Sequence, residues 1–407
     1  MNHTKNALPP LIPVAEALTR LLEDVRATPS FETVPLYSAV NRILAEACCS
    51  SVDVPPQDNS SMDGYALHSD SVKDLSTALV VSQRITAGTA PQPLQEGTAA
   101  RIFTGAEVPV GANAVVMQEQ AVEEDGRVRF EKPVSARQNI RPRGQDIQAQ
   151  AQLFTPGKLL QAADLGVLAS AGLASVSVYR PLKVAILSTG DELVEPGDEI
   201  LPGQIYNSNR AVLTALVGQL GMELVDLGRV ADTFEATKAA LARAAEQADL
   251  VISTGGVSVG EEDHIKSAVE ALGALNLWRI KLKPGKPLAY GRVGDVPFFG
   301  LPGNPASALI TFCLFAKPYL MKLQGAEVIE PMRFKVEADF EHRRAGAREE
   351  YMRGIYSQGK VRVFSNQSSG MLSTASRANG LIVIAPDAVI ARGESVDFIP
   401  FSELIAR

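Results

Sequence analysis

The residues of this chain best placed to do chemistry sit on three glycine-rich turns: Ser188-Thr-Gly-Asp-Glu192, Ser253-Thr-Gly-Gly-Val-Ser-Val-Gly260 and Gly300-Leu-Pro-Gly-Asn-Pro305. Glycine lets backbone N–H groups approach an anion, and a helix starting at the turn adds the positive end of its dipole. Asp191 and Glu192 lie on the first turn, and Asp263 opens the segment after the second. A carboxylate repels a phosphate, so their pairing implies a bridging divalent cation such as Mg2+. Lys281-Leu-Lys-Pro-Gly-Lys-Pro287 comes a strand's length before the third turn. Lys283 or Lys286 could therefore share one anion with that turn, which Pro302 and Pro305 stiffen by fixing φ. Taken alone, the second turn could also be a plain strand-to-helix connection capped by Asp263, and the lysines a solvated loop.

Three earlier strings are less specific by themselves. Asn59-Ser-Ser-Met-Asp-Gly-Tyr-Ala66 reads as a turn in which Asp63 bonds its own backbone. Thr104-Gly105 reads as a strand end. Asn139-Ile-Arg-Pro-Arg-Gly-Gln-Asp146 sets Arg141 and Arg143 around a stiff loop, suited to phosphate or to pairing with nearby acids.

Composition removes several classes. The 407 residues carry a net charge of −7, against broad nucleic-acid or membrane-surface binding. Cys48, Cys49 and Cys313 form no C-x-x-C pair, and the four histidines show no metal-ligand spacing, so a structural zinc site is not expected. The second turn lacks the lysine-serine ending of a P-loop, and no G-x-S-x-G nucleophile setting occurs. With no basic-then-apolar leader and no apolar run of ~20 residues, a cytoplasmic location is expected.

The turns need elements to hold them. Apolar, β-branched runs at 184–187, 250–252 and 296–299 precede the three turns and read as buried strands. Alternating helical patterns at 210–220, 234–247, 263–272 and 305–323 predict a parallel α/β sheet over 181–327. Helical periodicity at 13–26, a second helix near 36–47 and an alanine-rich stretch in 147–179 predict a helical linking domain of 1–50 with 147–180. Proline, glycine and short β-prone runs over 51–146 predict an inserted β-rich domain, and short strands over 328–407 a C-terminal β-barrel.

In order, Ser-Met-Asp-Gly-Tyr-Ala (61–66), Arg-Ile-Phe-Thr-Gly-Ala (101–106), Arg-Gly-Gln-Asp-Ile (143–147) and Leu-Ser-Thr-Gly-Asp-Glu-Leu (187–193) are followed by Thr-Gly-Gly-Val-Ser-Val-Gly (254–260), Lys-Pro-Gly-Lys-Pro (283–287) and Gly-Leu-Pro-Gly-Asn-Pro (300–305). The series resembles the MoeA family of molybdenumtransferases, whose eukaryotic relatives include the gephyrin E domain, across nearly the whole chain. The resemblance implies a MogA-like α/β domain, an elongated homodimer, and a cleft between that domain and the partner subunit's β-rich domain. It implies Mg2+-dependent insertion of molybdate into adenylylated molybdopterin with release of AMP, and a MogA-type adenylyltransferase as partner. It assigns catalysis to Asp63, Asp146, Asp191, Glu192 and Asp263, with Asp191, Glu192 and Asp263 holding the metal. It assigns substrate binding to Thr104, Arg141, Gly255, Gly256, Ser258, Lys283, Lys286, Pro302 and Pro305, with Asp63 and Asp146 reaching across the dimer. Asp232 rests on a weaker local match, Arg279 stands where the family often has lysine, and His264 stands where tyrosine is common. Two alternatives stay open: a molybdopterin adenylyltransferase, which would not need residues 51–146 or 332–407, and a non-catalytic gephyrin-like scaffold.

Overall fold

A computed structural model describes residues 11–23, 25–28, 30–256, 264–344 and 346–405. The chain divides into two compact units: residues 33–156 with 160–178, and the remainder.

The larger unit is built on a six-stranded sheet in the order Glu223–Val230, Lys183–Thr189, Leu250–Thr254, Val296–Leu301, Pro287–Val293, Gly273–Arg279. The first four strands run parallel. The last two are antiparallel to their neighbours, so the expected parallel sheet is mixed at one edge. The cause is local: only Gly294 and Asp295 separate Val293 from its cross-strand partner Val296, and a two-residue connection can join only antiparallel strands. Residues 184–187 are buried, which explains their unbroken apolar run.

Helix Phe234–Gln247 begins where the Thr233 hydroxyl accepts from Ala236 N–H, and buries Thr237, Ala240, Leu241 and Ala244 against the sheet. The segment Pro305–Leu323 forms α-helix, a π-helical stretch at Phe312–Ala316, then α-helix again. It is long and apolar enough to cross a membrane, but most of it is buried, as a core helix is.

The C-terminal strands close into a five-stranded barrel. Glu349–Ser357 pairs on one side with Lys360–Val363 and on the other with Gly380–Ile384, and Phe334–Ala338 and Ser395–Pro400 complete the ring. The short strand Leu282–Lys283 adds in parallel beside Glu349 and Glu350, joining the lysine loop to the barrel wall.

Gly325 ends the core helix at φ +92°, and a Cβ there would stand 2.4 Å from the Tyr179 ring. Gly325→Ala should cost about 2–4 kcal/mol, read as a lower denaturant midpoint.

In the smaller unit a second six-stranded sheet runs Ala114–Met117, Gly64–Leu67, Thr98–Ile102, Leu79–Ile85, Arg127–Phe130, Ala121–Glu124. The linking segments hold less helix than expected. Residues 36–47 contain only the 3-10 turn Leu36–Ser38, because Asn41 adopts φ +60° and interrupts any α-helical run. Within 147–179 the one α-helix is Ala162–Ser170, closed by a Gln161–Asp164 capping box, and Gln152–Phe154 is instead a strand paired with Cys48–Cys49.

Candidate active site

The chain path in the larger unit reverses at one point. From Lys183–Thr189 it crosses to Glu223–Val230 on one side, then to Leu250–Thr254 on the other. Ligands of open α/β sheets bind outside the carboxyl ends of strands at such a reversal. A cleft of about 800 Å³ opens there, lined by Thr189, Glu192, Thr254, Gly255, Gly256, Pro302, Gly303 and Asn304 from the three glycine-rich turns. The hydroxyls of Ser188 and Thr254 lie 3.2 Å apart beneath it and share a hydrogen bond.

The glycines are required by space. Gly255 and Gly256 have φ +83° and +63°; a Cβ on the first would stand 3.0 Å from Thr189 O, and on the second 2.6 Å from Ile265 Cγ1. Asn209 Nδ2 donates to Gly303 O at 2.7 Å, which holds the third turn against the first turn of helix Ser208–Gln219. Pro305 occupies the start of its helix but does not line the cleft; Asn304 and Ser307 do.

Lys283 and Lys286 both face the cleft. Lys283 is not a bare charge: its Nζ is 2.9 Å from Oε1 of the buried Glu350. The opposite wall comes from beyond the α/β sheet, from segments where the sequence motifs predict no site residue. Arg348, Gln367, Ser368 and Ser369 line it, and Ser369 O accepts from Ala306 N–H at 2.9 Å. Directly behind that wall Arg353 is fully buried. Its Nη2 donates to Ser368 O and its Nε to Thr374 Oγ1, both at 2.9 Å, while Nη1 is enclosed with no partner. Burial holds this guanidinium below its ordinary pKa. No short-range pattern marks Arg353, because its partners are 15 and 21 residues away.

Glu192 is the one carboxylate among the described residues of the lining. It is exposed at the rim and folded back over Gly190, where a Cβ would stand 2.6 Å from Oε2. Asp191 is exposed and outside the lining. Ser258 and Asp263 lie outside the described residues, and among those described no three His, Cys, Asp or Glu side chains gather as a metal cluster. Asp232, His264 and Arg279 do not line the cleft.

The remaining expected site residues belong to the smaller unit. Asp63 Oδ1 accepts from both the backbone N–H and the hydroxyl of Thr104, each at 2.7 Å. These bonds, the backbone one first, hold the Asp63 carboxyl below its usual range. Thr104→Val should raise that pKa only in part, because the backbone donor stays; carboxyl NMR titration would show it. Arg141 and Asp146 are exposed, on the two sides of Arg143. Arg143 is committed to structure: its Nε bonds Asp53 and its backbone N–H bonds Asp58.

Sequence profiles agree with this architecture. The MoeA N-terminal region (domain I and II) matches residues 12–172, a probable molybdopterin binding domain matches 185–322, and the MoeA C-terminal region (domain IV) matches 335–401. A molybdopterin molybdenumtransferase of Haemophilus influenzae is 38% identical over 97% of this chain and 100% of its own length. One from Nostoc sp. is 38% identical over 94% of this chain and 92% of its own. The crystal structure of the molybdopterin biosynthesis moeA protein from Pyrococcus horikoshii OT3 superposes with a TM-score of 0.85 at 31% identity, covering 96% of this chain and 100% of that one.

Proposed function

Since the chain belongs to the MoeA family, we propose that it is a molybdenum-inserting transferase of molybdenum cofactor synthesis that takes molybdate and adenylylated molybdopterin and releases AMP. The observation that carries this is the convergence of three glycine turns, Lys283, Lys286 and Arg348 on one strand-end cleft. A tetrahedral oxyanion suits that lining, with backbone N–H groups and fixed cations replacing its hydration. Arg353, whose Nη1 is enclosed with no hydrogen-bond partner, braces the Ser368 wall from behind. The sulfur ligands for molybdenum come from the dithiolene of the substrate, so the protein need supply none; Cys48, Cys49 and Cys313 all stand outside the cleft.

The lining also fits Mg2+, which keeps several waters and takes one or two carboxylates together with substrate phosphates. Glu192 would hold it, with Asp191 and Asp263 as further donors. Bound there, the ion would supply positive charge to neutralise the phosphoanhydride that is cleaved. Lys283, oriented by Glu350, and Lys286 hold the oxyanion, and the backbone at 255–256 and 302–304 keeps it against the strand ends. Water attacks the phosphoanhydride phosphorus and the P–O–P bond breaks to release AMP, while the two dithiolene sulfurs replace one molybdate oxygen, which leaves as water with the two thiol protons.

A homodimer belongs to the same proposal, with Asp63, Thr104, Arg141 and Asp146 acting on the partner copy's cleft. So do a MogA-type adenylyltransferase that supplies the substrate, and a cytoplasmic location. Mixing inactive Asp63→Ala and Glu192→Gln chains should then restore part of the activity through mixed dimers; no restoration would argue for sites complete within one copy. The central test supplies adenylylated molybdopterin, Mg2+ and molybdate to the purified chain. AMP release that depends on molybdate is expected, and release indifferent to molybdate would sink the proposal. Accumulation of adenylylated pterin from MgATP and molybdopterin would instead identify an adenylyltransferase.

A further inference from the structure

Glu192 stands at the root of a flap, and the flap is fastened to the domain by a second group of charges away from the cleft floor. The flap runs from Leu193–Val194 to Ile205–Tyr206, two short strands that pair with each other. Its root is closed by Ile205 N–H to Glu192 O at 2.7 Å and Asn207 N–H to Val194 O at 2.9 Å. Two arginines tie it down. Arg229 Nη1 donates to Leu193 O at 2.7 Å. Arg210 Nη1 lies 2.8 Å from Glu195 Oε2 on the flap, while its Nε and Nη2 fork onto Asp226 at 2.6–3.0 Å on the neighbouring strand. Asp226 is itself held by Gly228 N–H at 2.9 Å, and the second oxygen of Glu195 accepts from Asn207 Nδ2 at 3.3 Å. One guanidinium thus spans flap, helix and sheet, with all three side chains half-buried.

We propose that Arg210 is a positioning residue for the transfer: by bridging Glu195 to Asp226 it fixes the flap, and through the flap root it sets where the Glu192 carboxylate stands over the cleft. The proposal rests on the metal reading of Glu192. A forked, charge-assisted pair fixes orientation as well as distance, and a network of half-buried charges is worth more than an isolated surface pair. Arg210 also follows Asn209, which holds the Gly303 turn, so the first turn of one helix sets two walls of the cleft.

The test uses the full-length chain and the variants Arg210→Gln, Glu195→Gln and Arg210→Lys. Hydrogen–deuterium exchange at the Ile205 and Asn207 amides should rise about tenfold in the first two, and the Mg2+ concentration for half-maximal AMP release should rise by a similar factor. The kcat at saturating Mg2+ should stay within about twofold, with Arg210→Lys between wild type and Arg210→Gln, because an ammonium cannot fork onto both acids. Unchanged exchange would show that Arg210 does not hold the flap. Faster exchange with an unchanged Mg2+ requirement would show that the flap does not place Glu192. A fall in kcat that saturating Mg2+ does not repair would mark general damage, and also overturns the proposal. A wild-type chain indifferent to Mg2+ would overturn the metal reading first, whatever the flap exchange shows.

Discussion

Glu192→Gln should lower molybdate-dependent AMP release by about two to three orders of magnitude and leave the thermal midpoint within about a degree of wild type. The two halves of that expectation have separate causes. The carboxylate is exposed at the cleft rim, so the fold gains little from its charge, and such substitutions fall within about 0.5 kcal/mol. It is also the only acid among the described lining residues, so no close neighbour replaces it. Release rates at saturating substrate and Mg2+, set beside a melting curve, would decide the matter. Activity within a few-fold of wild type would remove Glu192 from the chemistry.

Arg353→Met should strike both stability and oxyanion handling. The change removes a donor from the buried Thr374 Oγ1, which costs about 1–3 kcal/mol before relaxation, and one from Ser368 O on the exposed cleft wall, which costs less because water can replace it. It also removes a buried cation and frees the Ser368 wall to shift. The KM for molybdate should therefore rise by at least an order of magnitude in the fraction that stays folded, with a smaller change in the KM for the pterin. Arg353→Lys should recover part of the molybdate term and less of the stability, because one ammonium cannot serve both acceptors in the guanidinium's planar geometry. Equal loss of both KM values would reduce Arg353 to a packing role.

The contrast between these two residues shows how much of the site was legible in the sequence. Glu192 stood out because its turn is local: strand, glycine and acid follow one another, and the chemistry of that order can be read directly. The same holds for Gly255 and Gly256, where close backbone approach and a positive φ demand glycine. The ordered motifs also placed the chain in its family and named Asp63 and Thr104, whose pairing spans 41 residues and has no local signature. Arg348, Arg353 and the 367–369 wall went unseen because a closed barrel, a non-local object, brings them to the cleft. Asn209 was hidden for a related reason, since nothing about an asparagine early in a helix announces a bond to Gly303, 94 residues on. The strand pattern gave the sheet but not its edge, where a two-residue turn decided direction. In the linking segments apolar spacing suggested more helix than the backbone allows, and the left-handed Asn41 set the limit.

The pairing of Leu282–Lys283 with Glu349–Glu350 has a consequence for modularity. The six-stranded α/β part of the larger unit cannot be excised as a miniature enzyme. Cut away from the barrel, it would keep its strand-end glycines, yet Lys283 would lose its carboxylate companion and the catalytic hollow would be missing one side. Molybdenum insertion is in that sense a property of two fused modules joined by hydrogen bonds at the cleft, the Leu282–Lys283 pairing and the Ala306–Ser369 bond among them.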